Sequence, residues 1–68
     1  MKKIEIDTEF IKLGQLLKLA GIADSGAHAK MLILNNEVML NNVVENQRGK
    51  KVYKGDIVVV EGNSFKVE

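Results

Sequence analysis

The residues of this chain that could do chemistry are few, and they do not gather. There is one histidine and no cysteine, which excludes disulfides and thiolate metal sites. His28 has no Asp or Cys companion at ligand spacing, so neither a metal site nor a catalytic base is expected there. Ser64 lacks a base partner and a strained elbow, and reads as a turn residue. Asp24, Glu37, Glu45 and Asp56 show no paired arrangement of the type used in general acid–base catalysis. No enzyme, cofactor or metal follows from such a set.

What remains is ionic. From Asn46 to Lys54 the chain reads NQRGKKVYK, with four cations and no anion. Arg48 offers a planar fork that matches a phosphate, and Lys50 and Lys51 offer point charges beside it. The same run could instead be a solvated edge that keeps a sheet from pairing with strangers. Glu5, Asp7 and Glu9 lie near the start, and Glu61 and Glu68 near the end. A net charge of only +1 therefore still allows one locally basic edge.

These groups must be positioned by a small scaffold. Sixty-eight residues, 46% of them apolar, suit a single domain held by packing alone. The N-terminal MKKIEIDTEF carries no apolar signal segment, and no apolar run approaches the roughly 20 residues of a membrane span. A cytoplasmic protein without a membrane partner is the resulting expectation.

Along the chain, Ile4 and Ile6 alternate with Lys3 and Glu5, a short half-buried strand. Phe10 and Ile11 are expected to pack under a first helix. There Leu13, Leu16, Leu17 and Ala20 form one apolar stripe and Gly21 follows as the C-terminal stop. Asp24 or Ser25 caps a second helix, in which Ala29, Leu32 and Ile33 form the core stripe. His28 stands where a capping box would need Glu or Gln. Ala27, Met31 and Leu34 make a second apolar set on the other side, either covered by the lead-in or closing strand or open to a protein partner.

Asn35-Asn36 ends that helix, Val38 and Leu40 point inward, and Asn41-Asn42 suits a type I′ hairpin turn into Val43-Val44. Lys51–Tyr53 is extended, Lys54-Gly55-Asp56 a turn, Ile57–Val60 a buried strand, Gly62-Asn63 a hairpin turn and Ser64–Val67 the closing strand. Gly14, Gly49 and Gly55 read as conformational. Phe10, Tyr53 and Phe65 are too few and too scattered for a base-stacking platform.

Three stretches carry a resemblance: Ile6–Ile22 (IDTEFIKLGQLLKLAGI), Asp24–Lys30 (DSGAHAK) and Asn46–Val58 (NQRGKKVYKGDIV). In this order the chain resembles the RNA-binding domain first described in ribosomal protein S-four, the alpha-L motif, and within it the small stand-alone bacterial YaaA-like subgroup. The resemblance implies an α+β fold of two short packed helices followed by a small, mainly antiparallel sheet. It also implies one RNA-binding domain over residues 1–68 with its core motif at 12–60. Gly26 stands where the wider family usually carries Arg, Lys12 where it carries Arg, and Asn36 and Asn42 where it carries Gly. The asparagines preserve the turns, whereas the Arg-to-Gly change removes one phosphate fork.

The function so implied is non-catalytic recognition of structured RNA, ribosomal RNA foremost, by shape and phosphate contacts in a ribosome-associated or assembly factor. Arg48, Lys50 and Lys51 are the first candidate contacts. Lys12, Gln15, Lys18 and Lys30 would extend them along the helix pair, and Ser25 would add the backbone N–H groups of a helix start. The competing expectation is a protein-interaction adaptor docking ribosomal or assembly proteins through Ala27, Met31 and Leu34. No small-molecule substrate is expected in either case.

Overall fold

A computed structural model describes all 68 residues. The order is β1 (Lys2–Ile4), β2 (Phe10–Lys12), α1 (Leu13–Leu19), α2 (Gly26–Leu34), β3 (Val38–Leu40), β4 (Val43–Val44), β5 (Lys51–Tyr53), β6 (Ile57–Val60) and β7 (Asn63–Val67). Five strands form one sheet in the order β1-β7-β6-β3-β4, and β2 pairs with β5 in a separate ribbon. Only β1 runs parallel to its neighbour; every other pairing is antiparallel. The α+β class and the mainly antiparallel sheet are as the sequence implied.

Period-two alternation fixes which face of the sheet is covered. Val38 faces Val60, Leu40 faces Val58, and Val58 faces Phe65 across the strands, and all five are buried. Leu13, Leu16 and Leu17 of α1 and Ala29, Leu32 and Ile33 of α2 close over this face in one cluster. On the other face Met39, Val59 and Ser64 stay half-exposed, the usual condition of a one-sided antiparallel sheet. Each fully buried Leu contributes about 1.5–3 kcal/mol, which holds helices too short to persist alone.

Both helices end the same way. Gly21 N–H donates to the Lys18 carbonyl and Ile22 N–H to that of Leu17, both at 3.0 Å, with Gly21 at φ 77°. Asn36, at φ 60°, repeats this: its N–H donates to Ile33 and that of Glu37 to Leu32. This is the Schellman stop, which needs one left-handed residue just past the helix. At the start of α2 the Ser25 hydroxyl accepts from His28 N–H at 3.0 Å. His28 answers, its Nδ1 accepting from Asp24 N–H at 3.3 Å. From the capping-box position the histidine thus reaches back as a Glu would, but to the N–H one residue before the N-cap.

Four expectations are corrected. Phe10 and Ile11 do not simply pack beneath α1; they form β2 with Lys12. The second hairpin turn is Glu61-Gly62, both at positive φ (51° and 77°), with Asn63 already in β7. A slip of one residue would turn Phe65 out of the core, and that burial outweighs the strain of a left-handed Glu. Gly14 and Gly49 do not need positive φ, whereas Gly55 does, at 97°. Finally, the lead-in and closing strands do not cover the second side of α2. They pair with each other, and Met31 and Leu34 remain 61% and 57% exposed, with Ala27 exposed beside them.

The β3–β4 turn is tied down by one side chain. Asn41 Oδ1 accepts from Ile57 N–H and its Nδ2 donates to Asp56, whose other oxygen accepts from Tyr53 N–H. Asn42 is equally left-handed, φ 70° against 51°, but makes no such bonds. Asn41→Gly should therefore lower stability by about 1–3 kcal/mol while Asn42→Gly stays within about 0.5 kcal/mol, read from urea midpoints.

Candidate nucleic-acid interface

The first turn of α1 has no side-chain cap: Lys12 occupies the N-cap position without such a bond. Its donors are met by the basic loop instead. Leu13 N–H donates to the Lys50 carbonyl at 2.9 Å and Gly14 N–H to that of Arg48 at 3.0 Å. These bonds satisfy donors that a helix start would otherwise leave orphaned. They also lay the loop across the front of both helices. A Cβ at Gly14 would stand 3.5 Å from Arg48 Cβ, so the loop rests in ordinary contact with the helix.

The result is an open cleft of about 360 Å³ between α1, α2 and the loop. Lys12, Gln15, Lys18, Lys30 and Arg48 rise around it, and Gly14, Gly26, Ala29 and Gly49 form the low ground between them. Long cationic side chains thus stand on a floor made of the smallest residues. No carboxylate lines the cleft. The one close approach of a basic side chain to a carboxylate is elsewhere, His28 Nδ1 to Asp24 Oδ1 at 3.3 Å, so the four cations of the cleft have no acidic partner. A concentration of unpaired like charge in a concave, polar surface raises the local potential in the sense that draws anions.

Five of the eight predicted contacts, Lys12, Gln15, Lys18, Lys30 and Arg48, meet here although they come from three separate stretches. Ser25 lies next to Gly26 at the edge but spends its hydroxyl on the α2 cap. Lys50 and Lys51 fall outside. They line a second groove of about 490 Å³, on the other side of Gly49. Gly14 and Gly49 are the site residues that pattern reasoning missed. Phe10 and Tyr53, 43 positions apart in sequence, are cross-strand partners with ring centroids 6.0 Å apart. Ala27, Met31 and Leu34 lie on α2 outside the cleft.

Known proteins share this architecture. The S4 domain family model matches residues 4–68. The chain belongs to the S4 domain family. The Bacillus subtilis protein RlbA, named a probable ribosome maturation protein, is 51% identical over 65 residues, covering 94% of this chain and 92% of that one. YbcJ of Escherichia coli is 37% identical over 57 residues, covering 84% and 81%. The solution structure of YbcJ superposes with a TM-score of 0.75 at 32% identity, over 98% of this chain and 86% of that one. It is described as revealing an alpha-L motif involved in RNA binding. The two-helix front and the sheet behind it are thus the frame this chain shares with YbcJ.

Unpartnered cations repel one another at low ionic strength. Arg48→Gln should accordingly leave the free protein as stable or up to about 0.5 kcal/mol more stable, with the gain fading as salt is added. Thermal unfolding at low and high salt checks this, and a clear loss of stability at low salt would contradict it.

Proposed function

We propose that this S4 domain is a non-catalytic module that binds structured RNA by shape and phosphate contacts, acting over residues 1–68 as one domain with its core motif at 12–60. The observation that carries it is the acid-free cleft with four unpaired cations on a glycine and alanine floor. Arg48 supplies the bidentate fork, Lys12, Lys18 and Lys30 the point charges, and Gln15 a neutral donor and acceptor able to reach a ribose hydroxyl. Lys50 and Lys51 flank the track. Ser25 contributes through the helix start it caps.

The names of the relatives support the choice of partner: one concerns ribosome maturation and the other RNA binding. Ribosomal RNA is accordingly the RNA we favour, in a cytoplasmic ribosome-associated or assembly factor. No helix is long and apolar enough to cross a membrane. A second reading rests on the open face of α2, where Met31 and Leu34 are more than half exposed. It makes the domain an adaptor for a ribosomal or assembly protein.

Co-sedimentation with ribosomal subunits and with extracted ribosomal RNA separates the two readings. Contacts to roughly three or four phosphates give a log–log salt slope of order −2 to −4 on bare RNA. The triple variant Lys18→Gln, Lys30→Gln, Arg48→Gln should bind bare RNA roughly 10- to 100-fold more weakly and with a shallower slope. Gly26→Arg, at a position with open space around its Cβ, should bind more tightly. Retention only on protein-containing particles, insensitive to salt and lost in Met31→Asp, would favour the adaptor instead.

A further inference from the structure

The β2–β5 ribbon has a face that the cleft uses only at Lys12. In its register Phe10 opposes Tyr53, Ile11 opposes Val52 and Lys12 opposes Lys51. Side chains alternate along a strand, so Ile11 and Val52 share one face and the other four residues share the opposite one. Val52 is fully buried and Ile11 packs on the core. The outward face therefore interleaves two aromatics with two lysines. Lys51 Nζ stands 4.7 Å from the Phe10 ring centre, and Tyr53 is 43% exposed.

This face opens onto the second groove, which Tyr53, Lys50, Lys51 and Gln47 line. Asn41 and Asp56 line it as well; both Asp56 oxygens accept hydrogen bonds, from Asn41 and the Tyr53 N–H, and its carboxylate leaves one negative charge in the groove against the two lysines. The groups left to a ligand are the Lys50 ammonium, the Lys51 ammonium lying over Phe10, the Gln47 amide and the tyrosine ring with its hydroxyl. An aromatic surface, a neutral amide and fixed positive charge side by side match a nucleotide: base, base edge and phosphate. The groove also adjoins the cleft. Gly49 lines both, and Lys12 at the cleft sits across the ribbon from Lys51 at the groove.

We infer that the groove beside Tyr53 takes an unpaired nucleotide that continues from the RNA held in the cleft, its base against the Tyr53 ring and its phosphate at Lys50 and Lys51. The preferred target is then a helix bordered by an unpaired residue rather than an uninterrupted duplex. Along β5, Lys51 and Tyr53 are two residues apart, about 7 Å at strand rise, so adjacent base and phosphate groups can meet them together. This inference rests on the reading of the cleft as an RNA site and adds a second contact to it.

Binding of two RNAs decides it: a blunt duplex, and the same duplex with a short single-stranded extension. The extension should tighten binding by roughly 5- to 100-fold, the range of one base stacked on an aromatic ring. Tyr53→Leu should abolish that gain while moving blunt-duplex affinity by less than about twofold, and Tyr53→Phe should retain it. Tyr53 is the chain's one tyrosine, so its ring protons are readily followed by NMR. They should shift upfield with the extended RNA and stay in place with the blunt one. Equal binding of the two RNAs, or a gain that survives Tyr53→Leu, overturns the inference and leaves the cleft reading intact. If the blunt duplex does not bind at all, the cleft reading fails and takes this one with it.

Discussion

Two backbone hydrogen bonds, from Leu13 to Lys50 and from Gly14 to Arg48, hold the surface of this domain together. They complete a helix start that has no side-chain cap, and they fix the basic loop against the helix pair. The ribbon pairing of Lys12 with Lys51 anchors the same loop one step further on. This arrangement has to resist the repulsion among the cations it gathers. Two unit charges about 8 Å apart in water repel by on the order of 0.5 kcal/mol, and salt reduces this further. Each backbone bond contributes about 1 kcal/mol, comparable to the repulsion between any two of these cations, and salt screening lowers the sum over all of them. Because main-chain atoms make the clamp, the charged side chains above it are free to face a ligand.

The core explains why so small a chain can keep those charges unpaired. Fourteen apolar residues are buried and no polar or charged side chain is, so no ion pair is needed to satisfy the interior. α2 shows the division of labour within one helix. Ala29, Leu32 and Ile33 face the core, Gly26 and Lys30 face the cleft, and Ala27, Met31 and Leu34 occupy the next sector around. At 100° per residue these three sets fall in successive arcs. The helix is apolar on two sides because its core and its open face are separated only by the narrow cationic strip.

What could be read from sequence was what local chemistry dictates. The Leu stripe of α1, the Ser25 cap, and the left-handed stops at Gly21 and Asn36 all follow from neighbours within a turn or two. So does the Asn41-Asn42 hairpin, where φ must be positive twice. The β1–β7 and β2–β5 pairings were not legible, since each joins strands far apart in the chain and no local period announces a partner. The same limit shaped the site. Cationic residue types pointed to Arg48, Lys12, Lys18 and Lys30, but only the clamp on α1 shows that they surround one space. It also divides Lys50 and Lys51 from them at Gly49. Glycine was the least legible type, because Gly14 in α1 and Gly49 in the turn at residues 47–50 line the cleft without needing positive φ.

Magnitudes rank the two surfaces of α2. A stable protein interface takes about 800 Å² from each partner, nearly a fifth of the 4285 Å² this domain exposes. Three side chains on one arc of a nine-residue helix cannot supply that alone, and isolated exposed apolar residues are ordinary on small proteins. A phosphate track asks for less area, because each neutralised phosphate also releases condensed counterions. Four cations already held in place lose little freedom on binding beyond that of their own side chains. For a domain of this size, fixed charge is the more economical way to hold a large partner, and the apolar arc of α2 is left as an auxiliary surface beside it.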